Sequence, residues 1–469
     1  MITSTLLFLA CAHTPETPVI DLSKPPTVAD TPLYTPPVTS VHTLSNGTNV
    51  WILEKPGLPL ISLRLVFAGG SAADPDDAFG TVRMSDEMLE RGAGEYDATA
   101  FAAEVERLAL SLGSRTSETS TSIALDAHTD RLEAGLDLLA DMVLRPRFDE
   151  STVNRLKEIR LGEIAEARDD GKVISGWAMD QLYFGKGHPI AHPIIGTNTS
   201  VKNLTPEDLR DSWKSRIGPD RATFVVVGDV QTTPLLESLE ARFGSWEATG
   251  NPVKDIPAPP VHSGDQRFFF VDKPGTSQTT LRIMMSAPTM SDPAQEPAEL
   301  GSIVLGGTFT SRLNRLLREE KGYTYGARAS TMGRNQYGYL EARTNVQREV
   351  SAPALSDLLS ELRRYSDGID EAELAKAKGA WQTQTVAAME SRGSIASSFA
   401  GLAANGLKPT DLQENLAAAM AADTAAVNNA ITKSVLDEAI ILVVGDLAEI
   451  QADIEQAVPA SWQVIELDQ

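Results

Sequence analysis

The sequence predicts an α+β protein of two homologous domains, each a mostly antiparallel sheet with helices packed on one face. Three observations carry this. Residues 55–75, KPGLPLISLRLVFAGGSAADP, return 218 residues later as KPGTSQTTLRIMMSAPTMSDP, with seven of 21 positions identical and no gap. The far ends of the copies also match, FVVVGD at 224–229 against ILVVGD at 441–446. Strand patterns alternate irregularly with long helical patterns, as in an α+β domain. A period this long is not that of a solenoid, so it marks two copies of a whole domain, with a functional site expected between them.

The first copy is assigned to residues 41–245. Residues 41–44 and 49–53 alternate as strands about the turn Ser45-Asn46-Gly47, and 61–67 is a third strand. Helical periodicity predicts helices at 78–91, 98–111, 130–143, 149–168 and 205–216. Thr205-Pro206-Glu207-Asp208 is a helix start, with a capping hydroxyl, proline at the first helical position and acids in the first turn. A late strand covers 223–227. The linker, 246–264, carries Pro252, Pro257, Pro259 and Pro260. The second copy, 265–469, repeats the order: strands at 267–272 and 279–286, helices near 296–306, 310–320, 352–364, 370–390 and 409–434, and a strand at 439–444.

A chain of 469 residues with 42% hydrophobic content is long enough for two cores. The formal net charge of −23 repels phosphate backbones and argues against nucleic acid as a partner. The single cysteine, Cys11, rules out an intrachain disulfide. It follows the apolar run Leu6-Leu7-Phe8-Leu9-Ala10, and residues 15–37 then hold seven of the 27 prolines, an extended tether. Residues 1–40 thus resemble a bacterial lipoprotein signal with Cys11 as the lipidated residue. That implies a periplasmic protein anchored to the outer membrane, touching the membrane only through its lipid. No Lys or Arg precedes the run, and Phe8 stands where Leu is usual. The alternative is a frayed N-terminus with an incidental thiol.

The segment after the third strand, residues 80–92, reads GTVRMSDEMLERG. It resembles the zinc helix of the insulinase, pitrilysin and mitochondrial-processing-peptidase family, which reads roughly G-x-x-H-x-x-E-H-x-x-x-x-G. In that pattern two histidines four apart share a helix face and bind Zn²⁺, the intervening Glu takes a proton from metal-bound water, and a distant Glu is the third ligand. Here Arg83 stands at the first His, Asp86 at the base and Glu87 at the second His. Glu163, 76 residues after Glu87, matches the third ligand. One ligand-type residue of three beside an arginine is not expected to hold zinc, so no metal is assigned to this chain. Arg83 pairs with Glu87 along the helix or reaches Glu163; the plainer reading is a solvated helix face. His188 and His192 lie among prolines, and their loop, 187–197, is assigned a structural role.

Residues 306–313, GGTFTSRL, and 317–326, LREEKGYTYG, resemble the family's second-half pattern, an SRL helix followed by L-R-x-x-x-G-x-x-Y. The resemblance implies that Arg318 and Tyr325 reach across a clamshell to the active site of the opposite half, where a phenol and a guanidinium stabilise developing negative charge. Their plainer readings are a solvated helix residue and a half-buried strand residue. The resemblance covers about residues 40–450 and implies half of a metallohydrolase clamshell. It also implies the non-catalytic, substrate-binding subunit of a heterodimeric zinc metalloendopeptidase. The partner would be a homologous catalytic subunit with an intact H-x-x-E-H and the zinc, and the substrate a peptide. The alternative is a protease-independent scaffold or peptide-binding envelope lipoprotein.

Overall fold

A computed structural model of the chain describes residues 34–262 and 266–466. Cys11 and most of the proline tether lie outside the described residues. In the first half, strands β1 (Ser40–Thr43), β2 (Asn49–Glu54) and β3 (Leu60–Ala68) precede helix α1 (Thr81–Met88). A small hairpin, β4 (Gly92–Ala93) and β5 (Tyr96–Asp97), leads into α2 (Ala98–Arg107). Strands β6 (Ser111–Thr116) and β7 (Ser120–His128) come next. They are followed by α3 (Leu132–Leu144), α4 (Glu150–Asp169), α5 (Gly171–Phe184), α6 (Asn198–Asn203), α7 (Pro206–Arg216), β8 (Ala222–Gly228) and α8 (Thr232–Phe243).

The second half contains β9 (Phe268–Asp272), β10 (Gln278–Ser286) and α9 (Gln295–Ser302), then wide π-helical turns at Ile303–Gly307 and Asn314–Glu320. Strands β11 (Ala327–Gly333) and β12 (Gly338–Gln347) precede α10 (Ser351–Ser366), α11 (Glu371–Ala388), α12 (Arg392–Ala404), α13 (Asp411–Ala421) and α14 (Thr424–Ile431). Strand β13 (Ile440–Gly445), α15 (Leu447–Ala457) and β14 (Trp462–Val464) complete it.

The predicted α+β class holds, and the repeat extends to topology. One sheet runs β1-β2-β8-β3-β7-β6, and the other, from the same end, β14-β9-β13-β10-β12-β11. Registers repeat as well: Leu63 faces Val226 across β3–β8, and Leu281 faces Val443 across β10–β13. Each sheet is mixed but mostly antiparallel, with β2 parallel to β8 and β9 parallel to β13. The outer place beside β2 or β9 is filled differently. β1 comes from the N-terminal side and runs antiparallel, whereas β14 comes from the C-terminal side and runs parallel.

Three expectations need correction. The helix predicted over 98–111 stops at Arg107, and β6 and β7 follow. Their sequences, SLGSRT and STSIALDAH, hold many hydroxyls and few large apolar residues, so period-2 alternation is weak. The helix predicted over 409–434 is two helices, because Asp423 leaves helical geometry and its side chain caps α14 by accepting the Ala426 N–H. The helices predicted at 296–306 and 310–320 end in or consist largely of π-helical turns. Gly306 allows the first of these to press on β11, where a Cβ would stand 2.1 Å from the Ala329 nitrogen.

The central strands β8 and β13 are buried throughout, which needs apolar cover on both sheet faces. The second cover is exchanged between halves. Helix α5 lies on β10 and β13 of the second half, and α12 lies on β3 and β8 of the first. The contacts repeat in detail. Arg64 and Arg282, 218 residues apart on β3 and β10, each meet a glycine of the visiting helix. A Cβ at Gly393 would stand 3.4 Å from Arg64 Nη2, and one at Gly176 3.0 Å from Arg282 Nη1. Arg64 pairs with Asp126 at 3.1 Å, and Arg282 donates through Nε to Glu341 at 2.6 Å.

The junction of α5 with β10 can be tested at Gly176, with Gly162 of α4, outside it, as the control. Gly176→Leu should drive a side chain into the bonded Arg282 and lower stability by about 1–3 kcal/mol in chemical denaturation. Gly162→Ala, where a Cβ meets nothing within 4 Å, should be neutral or stabilising by up to ~1 kcal/mol. Asp180 of α5 is set into the junction near Arg282, Glu118 and Glu341. Burial raises its pKa to about 7, against the pull of Arg282. Its folded value lies above its unfolded one, so the native state holds the proton more tightly. The stability this contributes is present below about pH 4 and lost as pH rises through about 7. Denaturation of Asp180→Asn across that window should show a shallower decline than wild type.

Candidate functional site

Helix α1 starts at Gly80, whose φ of +89° admits glycine readily. Gly80 packs on Gly196 of the 187–197 loop: a Cβ on Gly80 would lie 2.9 Å from the Gly196 Cα, and one on Gly196, with φ of +81°, 2.4 Å from the Phe79 carbonyl oxygen. The helix has no local side-chain cap. Instead the buried Asp74 accepts the N–H groups of Gly80 and Val82, both at 2.7 Å, favoured by the helix dipole. Burial still raises the Asp74 carboxyl to about 7. His192 stacks on Phe79 with ring centroids 4.2 Å apart, and burial lowers its pKa. His188 meets the Pro257 carbonyl at 2.8 Å. The two histidines therefore make separate contacts, and residues 185–197 contain no helix. Beside them lies a cavity of about 900 Å³, lined by both halves and by Lys254 of the linker.

The positions singled out on α1 divide into two groups. Asp86 points inward and is fully buried. Its Oδ2 accepts from Thr116 and Thr121 hydroxyls, each at 2.7 Å, and its Oδ1 from Arg216 Nη2 at 2.6 Å. Arg216 also donates to Thr121 at 3.2 Å. The acid is thus locked between α1, β6, β7 and α7.

Arg83 and Glu87 occupy the other face. Arg83 Nε bonds Glu87 at 2.6 Å, so of the two pairings considered from sequence the i,i+4 one forms. Glu163 is held not by Arg83 but by Arg160, at 2.7 Å, one turn earlier on α4. Arg160 also reaches Glu87 at 2.5 Å. The result is an alternating chain, Arg83–Glu87–Arg160–Glu163, with Arg160 only 3% exposed. Sequence reasoning missed Arg160, although its i,i+3 spacing to Glu163 was a usable signal. Arg216 has no such signal, being 130 residues from Asp86. Among the described residues, no group of three or more His, Cys, Asp or Glu is placed to hold a metal ion.

In the second half, Arg312 of the SRL segment binds Glu373 of α11 through Nε at 2.7 Å and Nη2 at 2.5 Å, and its guanidinium lowers the Glu373 pKa. Arg318 lies on a π-helical turn, a form that recurs at functional sites. Its Cζ sits 4.2 Å from the Phe309 ring centroid, a cation–π contact, and its Nε is 3.2 Å from Glu319. Tyr325 is 91% exposed. Its loop is pinned next door by the Thr324 hydroxyl, which donates to the Asn345 carbonyl at 2.7 Å. One face of the protein thus carries a closed ionic network, and a second-half segment presents an arginine on an aromatic ring and a free phenol.

Two like sheet-and-helix halves carry this helix and this segment. The family model for insulinase (peptidase family M16) matches residues 50–182, and that for the peptidase M16 inactive domain matches residues 203–380. The chain belongs to peptidase family M16, the insulinase family. It is similar to the uncharacterized zinc protease YmxG of Bacillus subtilis, with 23% identity over 356 residues, 75% of this chain and 85% of that one. It is also similar to the non-peptidase homolog YmxG of Helicobacter pylori, with 23% identity over 328 residues, 68% of this chain and 74% of that one. Mitochondrial-processing peptidase subunit beta of Lentinula edodes matches at 24% over 219 residues, 46% of each chain. The solved peptidase M16 inactive domain from Pseudomonas fluorescens has the same fold, with a TM-score of 0.80 and 22% identity, over 87% of this chain and 98% of that one.

The Asp86 network gives a direct test. Asp86→Leu leaves the Arg216 guanidinium buried and unpaired, and should cost about 3–5 kcal/mol in urea unfolding. The double variant Asp86→Leu/Arg216→Met should recover most of that loss.

Proposed function

We propose that this chain is the non-catalytic, substrate-binding subunit of a heterodimeric zinc metalloendopeptidase. The observation that carries the reading is the Arg83–Glu87–Arg160–Glu163 chain at the positions of the family's zinc ligands. A guanidinium stays protonated and has no lone pair for a metal. Both carboxylates of the chain are already bonded to one. Asp86, at the position of the base, has both oxygens engaged in a buried network. This donor set does not fit zinc, so the metal and the base are assigned to a partner with an intact H-x-x-E-H. The similarity to a mitochondrial-processing peptidase subunit and to a non-peptidase homolog supports the same division of labour.

In such a pair this chain closes the chamber and holds an extended peptide against a sheet edge, where backbone groups stand ready to pair. Arg318 and Tyr325 then serve the scissile region. The phenol and guanidinium donate to the oxygen on which negative charge develops, or to flanking carbonyls. The exposure of Tyr325 and the Phe309 platform under Arg318 suit a contact completed by a second subunit.

The reconstituted pair tests this. Arg318→Ala and Tyr325→Phe should each lower peptide turnover, by about a hundredfold for the loss of a full donor, while size-exclusion chromatography shows the complex unchanged. Wild-type rates in both variants would exclude the shared site. Stoichiometric zinc in the tag-free chain, measured by atomic emission, would exclude the non-catalytic assignment.

A further inference from the structure

We propose that the cavity bounded by α4, α5, the 187–197 loop and strands β9 and β14 is a binding site for an uncharged aromatic small molecule. It encloses about 900 Å³, the scale of a small-molecule pocket. Apolar side chains enter it from each wall. Ile164 sits one turn before Arg168 on α4, and Ile174 one turn before Trp177 on α5, so each helix turns one face to the space. The stacked rings of Phe79 and His192 add an aromatic wall at the start of α1. The second half contributes Val271 of β9 and Val464 of β14. Val464 is 55% exposed although it lines a recess, an apolar surface left without cover.

The ligand class follows from two side chains without partners and from the charge of the lining. Trp177 is half-buried, yet its indole makes no hydrogen bond and no ring contact among the described residues. Arg168 is half-buried as well and has no ion pair among them, in a chain with 64 acids. An aromatic ring answers both, since it stacks on an indole and its face attracts a guanidinium. The formal charges of the walls nearly cancel. Arg168, Lys186 and Lys254 stand against Asp74, Asp76, Asp272 and Glu466. Burial raises Asp74 to about 7, which removes part of its charge at neutral pH, and burial lowers the pKa of His192, which keeps it neutral. Three of the acids are also engaged: Asp74 caps α1, Asp272 accepts the Leu447 N–H at 3.1 Å, and Asp76 faces Lys254 at 3.9 Å. A strongly charged ligand of either sign therefore gains little here, whereas an apolar ring gains from burial.

The walls come from both halves and, through Lys254, from the linker, so a bound molecule touches all three and should raise the melting temperature. The experiment uses the full chain without any partner, and its outcome is independent of the subunit reading. The probe is N-phenyl-1-naphthylamine, a neutral fluorophore, titrated by its own emission. Saturable binding at one site per chain is expected, with a rise in melting temperature. 1-Naphthalenemethanol should displace the probe at concentrations where 1-octanol, neutral but aliphatic, does not. Trp177→Leu should weaken binding about tenfold through the lost stacking. Val464→Arg should weaken it at least as much by laying a long charged side chain over the apolar lining. Val464 is exposed on an edge strand, so the melting temperature of that variant without probe should not fall. Non-saturable binding, equal displacement by octanol, or unchanged affinity in both variants would overturn the proposal. So would tighter binding of 1-anilinonaphthalene-8-sulfonate, which would give the cavity to an anion. Displacement by a capped glycine–phenylalanine–glycine peptide at lower concentration than the naphthyl alcohol would give it to a peptide side chain and overturn the proposal equally.

Discussion

Everything in this molecule depends on the exchange of two helices. The central strands of both sheets are apolar on both faces, and a half standing alone would leave one of those faces bare. Each half supplies the other's missing cover. The visiting helices can lie close because glycines stand where they cross Arg64 of β3 and Arg282 of β10. Each arginine must then be answered by an acid, Asp126 in one half and Glu341 in the other. The two copies of the repeat are therefore not independent domains on a tether. Separating them would expose apolar sheet and strip two guanidiniums of their surroundings at once.

Against that symmetric frame, the two halves differ in what they leave unsatisfied. On α1 every ionic group has found a partner inside the chain. Buried pairs of this kind add little net stability, but breaking one is costly, so the arrangement is rigid. The 309–325 segment is the opposite. It has a phenol in solvent, an aromatic ring largely exposed and a guanidinium resting on that ring. One half thus holds a closed network and the other an open pair of donors. The chain's membership of peptidase family M16 places this contrast among proteins named both as proteases and as a non-peptidase homolog.

How far the sequence could be read follows from the chemistry of each segment. Strands β1, β2, β3, β8, β10 and β13 were legible because they alternate, or run apolar, between clear turns. Strands β6 and β7 were not, since most of their residues are small or hydroxyl-bearing and only Ile123, Leu125 and Ala127 of β7 are buried in the hydrophobic core. Helix α12 escaped notice because its small residues give little apolar periodicity. At the site, the Arg83–Glu87 pair was one of two pairings of Arg83 that the sequence left open, and the structure chose it. Arg160 was legible in principle from its place one turn before Glu163. Arg216, Thr116 and Thr121 were not, because only the folded chain brings α7, β6 and β7 around Asp86.

The sequence by itself determined the internal repeat, the α+β class and the identity of the residues at the zinc-helix positions, because these rest on local spacing. Only the tertiary structure decided which core each helix serves and which guanidinium answers each carboxylate. Periodicity tells a segment that it must bury one face, but not against what. The partner is chosen by contacts across more than a hundred residues, where shape and charge are matched only after the chain has closed on itself.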